Sequence, residues 1–126
     1  MKKISLVMYG ILGTGALLYG VTALLFPSAL LPDATQSIHL AHILREQGAA
    51  AIFVGLMSFW CILNYERRTI VHYFLTIFAF LLTGIHWFDY FEGHLPLISP
   101  LYNSVPFAVL LFMAVSIRQN GSSQSN

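Results

Sequence analysis

Four apolar runs, each about as long as a lipid bilayer is thick, take up almost the whole of this 126-residue chain. They cover residues 4–26, 38–64, 70–91 and 97–117, and a helix needs roughly 20 apolar residues to cross the hydrocarbon core. The segments between them are too short to hold a soluble domain. The expected fold is therefore all-α: an integral membrane four-transmembrane-helix bundle, a single domain over 1–118, followed by a disordered polar tail at 119–126. Charged residues make up only 9% of the chain and the net charge is +1, which excludes a nucleic-acid partner. Cys61 is the one cysteine, so an internal disulfide framework is excluded as well.

The first run begins after Met1-Lys2-Lys3, as a secretory signal would, but it continues to Phe26. A signal core has about 7–15 apolar residues, so this segment reads as a retained first span. Gly13, Ala16, Gly20 and Ala23 form a stripe of small residues along it, where a neighbouring helix can approach closely. Pro27 and Pro32 then interrupt the helix, and Asp33 or Ser37 is placed to cap the next one. That second helix has two distinct sides. His42, Arg45, Glu46, Ala49, Phe53, Leu56 and Trp60 share one, and Gly48, Ala51, Gly55 and Ser58 lie roughly opposite. Gly13, Gly20, Gly48 and Gly55 are the expected helix-packing positions.

Orientation follows from the basic residues. Lys2, Lys3, Arg67, Arg68 and Arg118 all fall on one side of a four-span arrangement, with Arg45 alone on the other. The positive-inside rule then puts both termini in the cytoplasm.

The third run ends in His86-Trp87-Phe88-Asp89-Tyr90-Phe91-Glu92-Gly93-His94. At 100° per residue, His86, Asp89, Tyr90 and Gly93 share a face and Trp87, Phe88 and Phe91 share the other, which is expected to meet lipid. The fourth run carries Pro100, Asn103 and Pro106 near its start and is expected to enter as a broken or re-entrant segment. Most of the polar side chains thus gather at one level. His42, Arg45, Glu46, His86, Asp89, Tyr90 and Asn103 form the expected outward-facing ligand pocket, because ionisable groups in a membrane chain mark function by default.

Several chemistries fit this set. His42 with Glu46 and His86 with Asp89 put two donors each on a helix face, a donor set that suits zinc or iron. His72 and His86, fourteen residues apart, have the spacing of stacked haem ligands in membrane cytochromes of the b type; fourteen residues beyond His39 and His42, however, stand Phe53 and Leu56. A histidine–carboxylate pair also suits acid–base work on an apolar substrate, as in sterol-isomerase-like enzymes. Aromatic lining from Phe53, Trp60, Trp87 and Tyr90 suits a quinone or lipid. Beside these stands a plain reading, in which the same residues are interfacial anchors and His72 reaches up to the cytoplasmic interface.

Leu44-Arg45-Glu46-Gln47-Gly48-Ala49, followed by Val54-Gly55-Leu56 and by the Gly93-containing end of the third run, resembles the small four-helix DoxX-like membrane proteins. The resemblance implies a multi-pass protein of the bacterial inner membrane, associated with redox enzymes or quinones. The function expected on these grounds is that of an accessory or ligand-binding subunit, in contact with membrane lipids and with other subunits or a second copy of itself. The alternative is a membrane-embedded enzyme or metalloprotein built on His42, Glu46, His86 and Asp89.

Overall fold

The structure is a computed structural model that describes the backbone of residues 2–35 and 37–122 and the side chains of residues 2–33 and 37–115. Residues 123–126 of the expected tail lie outside the described residues. The described chain is helical throughout: α1 Lys2–Leu25, α2 Pro27–Leu30, a 3-10 turn at Pro32–Thr35, α3 Ile38–Leu63, a second 3-10 turn at Tyr65–Arg67, α4 Thr69–Phe91 and α5 Ile98–Ser122.

Four of these helices are long and apolar enough to cross a membrane. Their surfaces agree with that. Phe74, Phe80, Leu81, Phe88 and Phe112 are all more than half exposed, while the buried set includes Ser58, Arg68, His72, Thr76 and Thr83. A soluble domain of this size hides its large apolar side chains. The chain is a multi-pass membrane protein.

Two compact units divide the chain, one of Leu6–Tyr65 and one of Met1–Ser5 with Glu66–Asn126. In the first, α1 and α3 pack through their glycines. Gly20 and Gly48 stand backbone to backbone: a Cβ on Gly20 would lie 2.7 Å from the Gly48 carbonyl oxygen, and one on Gly48 would lie 2.8 Å from that of Gly20. Two turns away, Gly55 meets Leu17 and the Gly13 carbonyl, and Gly13 meets the ring of Phe59. The two helices run antiparallel, since Gly13 pairs with Gly55 and Gly20 with Gly48. Tyr19 adds a cross-helix bond, its hydroxyl donating to Gln47 Oε1 at 3.1 Å. Without a hydrophobic drive between helices in lipid, such close backbone approach is what lets dispersion hold them together.

The connection from α1 to α3 is more ordered than a loop. Pro27 starts α2 at a position where its missing N–H costs nothing, and Ser37 caps α3 by accepting from the Leu40 N–H at 3.4 Å.

In the second unit α4 and α5 form an antiparallel hairpin. Gly93 makes the turn. It has φ +78°, the left-handed backbone that glycine adopts without penalty. The His94 N–H donates to the Asp89 carbonyl at 2.9 Å and the Gly93 N–H to that of Tyr90 at 3.0 Å, which together make a Schellman ending. Gly93 therefore closes α4 instead of sharing its polar face, as the helical wheel has it. Gly93→Ala is expected to lower stability by about 1 kcal/mol, read as a lower unfolding midpoint in mild detergent.

The fourth span also departs from expectation. α5 is one unbroken helix from Ile98 to Ser122, with Pro106 inside it. It is not re-entrant, and it takes in residues 119–122 of the tail expected to be disordered. Pro100 falls in the first turn, where no N–H is needed, and the side chains of Asn103 and Ser104 bond back to the carbonyls of Ser99 and Pro100 at 2.9 and 2.7 Å.

Candidate functional site

A ladder of polar contacts runs down the α4–α5 seam. At its far end His72 is fully buried, and its Nε2 lies 3.0 Å from the Leu110 carbonyl oxygen. A carbonyl only accepts, so that nitrogen carries the proton. Higher up, Phe80 packs on Phe107 with ring centroids 5.4 Å apart, and Thr83 donates its hydroxyl to the Asn103 carbonyl at 2.8 Å. Trp87 Nε1 donates to Ser104 Oγ at 3.1 Å. His86 Nδ1 meets Ser99 Oγ at 2.9 Å.

Two sequence-based placements need correction. Trp87 is half-buried and bonded to α5, not turned to lipid with Phe88 and Phe91, which are exposed. One helical step of 100° beside His86 still lies within the arc that α5 covers. His72 does not reach up to an interface; it is fully buried and bonded to α5. Its Nε2, the atom the haem reading needs, is held by Leu110.

The His86–Ser99 pair is the chemically distinct step of this ladder. The contact works in either direction, His86 Nδ1 accepting the Ser99 hydroxyl proton in one tautomer and donating to Ser99 Oγ in the other. A neutral imidazole that accepts at Nδ1 carries its proton on Nε2. In that tautomer the Nε2–H has no partner among the described residues and is available to a ligand. One to five residues further along α4, Trp87, Tyr90 and Phe91 form an aromatic group: Trp87 and Tyr90 meet edge to face at 5.9 Å, and Phe91 lies 5.8 and 5.5 Å from the two. Asp89 and Tyr90 are half-buried, one helical turn from His86.

The seven expected pocket residues divide between the two units. His86, Asp89, Tyr90 and Asn103 belong to the α4–α5 hairpin, and Ser99 links two of them, through its hydroxyl to His86 and its carbonyl to the Asn103 amide. His42, Arg45 and Glu46 lie on α3, and all three are exposed. His42 Nε2 and Glu46 Oε1 are 3.2 Å apart with side chains 69% and 67% exposed, a contact that water and salt screen strongly. The expected metal ligands are split in the same way, two to each unit. Within neither unit do three or more described His, Cys, Asp or Glu side chains form a group able to hold a metal ion.

Sequence patterning does not single out Ser99 or Ser104, the hydroxyls that α5 brings to His86 and Trp87, nor Thr83 as a partner of Asn103. The available signal was the run of hydroxyl and amide side chains at Ser99, Asn103 and Ser104. Ser99 and Asn103 share a face at i, i+4 and Ser104 lies one step beyond, a concentration of polar side chains that in an apolar span points to interhelical bonding.

Compared with protein-family models, with curated protein sequences and with solved structures, the chain finds no match.

Proposed function

We propose that the protein is a small accessory or ligand-binding subunit of the bacterial inner membrane, with both termini cytoplasmic. It takes an apolar molecule with a carbonyl head at the turn end of the α4–α5 hairpin, and a quinone is the first candidate. The reading is supported by one observation above the others: His86 is held by Ser99 through Nδ1, which fixes the ring, and in the tautomer that accepts there Nε2–H is left for a carbonyl oxygen at the same end of α4 as the Trp87, Tyr90 and Phe91 rings. A single N–H donor with apolar walls is the usual make-up of a site for such ligands. The DoxX-like resemblance points the same way. The glycine packing of α1 on α3 supports a role in assembly, because close-packed small-residue contacts suit a rigid scaffold.

The test is quinone binding to the full chain in lipid nanodiscs, followed by quenching of Trp87 in a Trp60→Phe background. Saturable quenching is expected for the parent protein. His86→Phe, which keeps the ring volume and removes the N–H, is expected to weaken binding about tenfold, the loss of one hydrogen bond of about 1.5 kcal/mol. Quenching that does not saturate, or that His86→Phe leaves unchanged, would reject the site.

Orientation is tested separately. A reporter fused after Arg118 is expected to be active only on the cytoplasmic side, and activity on the other side would overturn the placement of His86 at the outer face.

A further inference from the structure

The same pair of side chains has the geometry of a nucleophile and its base, and we infer that Ser99 and His86 carry out acyl transfer on ester-bearing membrane lipids. The inference rests on the proposed function only in using the same site and its openness to amphiphiles. Four observations carry it.

Ser99 Oγ and His86 Nδ1 are 2.9 Å apart, within the reach at which a histidine takes a hydroxyl proton during attack. In the tautomer whose Nδ1 is unprotonated the hydroxyl proton lies along that line. The pair also bridges two helices locked to each other by Trp87 to Ser104 and by Thr83 to Asn103. The oxygen and nitrogen therefore hold their separation without help from a ligand.

Depth is the third observation. Ser99 is the second residue of the membrane-spanning helix α5, which places it where hydrocarbon gives way to head groups. The carboxylic esters of glycerolipids lie at that level, so the substrate's own packing in the bilayer brings its reacting carbonyl to the hydroxyl. The fourth is a donor for the charge that develops. Asn103 Nδ2 gives one of its two hydrogens to the Ser99 carbonyl at 2.9 Å; the second has no partner among the described residues, one helical turn along from Ser99, and is the donor assigned here to the oxyanion.

The step balances with water as the co-reactant. Ser99 Oγ bonds to the ester carbonyl carbon as its proton passes to His86 Nδ1. The carbon–oxygen bond to the glycerol breaks, and the leaving oxygen takes that proton. Water, deprotonated by His86, then attacks the acyl group on Ser99, and the serine oxygen leaves with the proton restored. The products are a fatty acid and a lysolipid.

The experiment uses the full chain in phosphatidylcholine vesicles and an alkyl fluorophosphonate probe, which phosphonylates an activated serine and releases fluoride. Mass spectrometry is expected to find the label on Ser99 of the parent protein. Ser99→Ala is expected to lose it. His86→Gln, which has an amide but no base, is expected to cut the labelling rate at least 100-fold while circular dichroism stays unchanged. Absence of label on the parent protein, label at another residue, or equal labelling of His86→Gln each overturns the inference. The parent result stands even where a variant does not fold. Quinone quenching on the same samples separates the two readings: saturable binding without label rejects the acyl transfer alone, and label without binding rejects the quinone site alone.

Discussion

Gly48→Val will unfold or loosen the α1–α3 pair. A Cβ at Gly48 would meet the Gly20 carbonyl oxygen at 2.8 Å, the Leu24 nitrogen at 2.9 Å and Ala23 Cβ at 3.1 Å. Two of these are backbone atoms, which move only if a helix moves. Overpacking a well-fitted contact costs about 1–3 kcal/mol when side chains can adjust. Side chains are not the obstacle at Gly48, so a loss of about 3 kcal/mol or more is expected. The branched valine adds two methyl groups to a space that lacks room for one. Gly10→Val and Gly84→Val supply the control, because nothing lies within 4 Å of a Cβ at either position. Both are expected to shift stability by no more than about 1 kcal/mol, mostly through helix propensity. Reversible unfolding in mixed detergent micelles, followed by circular dichroism, measures all three. Equal midpoints for Gly48→Val and Gly84→Val would show that the glycine contact does not hold these helices together.

His72 is the second site of large effect, in the other unit. The side chain is 0% exposed, and its bond to the Leu110 carbonyl ties α4 to α5 on the far side of Phe80 from the turn. His72→Ala removes that bond and leaves a hole. An interhelical hydrogen bond within a membrane chain is worth about 0.6–2 kcal/mol, and emptying a fully occupied core position of this size adds about 2 kcal/mol. The expected loss is about 3 kcal/mol. His72→Phe separates the two contributions, since it fills the space and removes the bond to Leu110, and about 1 kcal/mol is expected. Unfolding midpoints in the same micelles decide between them. If His72→Phe proves as damaging as His72→Ala, the bond matters more than the volume.

Sequence patterning reaches some of these contacts and stops short of others. That Gly13, Gly20, Gly48 and Gly55 lie on narrow stripes follows from counting residues at 100° per step. That Gly20 faces Gly48, and Gly13 faces Gly55, does not, because pairing depends on the register between two helices and any offset of a turn would present equally small surfaces. Ser37 as a cap was readable from its place before an apolar run. The continuous course of α5 was not, since Pro100 and Pro106 signal a break in isolation. Pro100 sits in a first turn, and the surrounding helix absorbs Pro106.

The polar residues divide along the same line. His86, Asp89 and Tyr90 announce themselves because ionisable and phenolic groups are costly at the edge of a hydrocarbon layer. Ser99 does not, because a serine hydroxyl can satisfy itself on its own helix and so occurs anywhere. Only the antiparallel register of α4 on α5 turns it into the partner of His86. His72 shows the converse. Read alone it belongs near an interface; between two helices it is a buried bond.

The solvent of this chain and the number of its long helices can be read from residue order alone. Both follow from quantities that add along the chain, the apolar length of each run and the scarcity of charge within it. Which small and polar residues meet, Gly20 with Gly48, His72 with Leu110 and Ser99 with His86, comes from the fold. Those meetings depend on the register and rotation of one helix against another, and in lipid, where apolar surface has no preference for protein over hydrocarbon, short-range packing and hydrogen bonds alone set them.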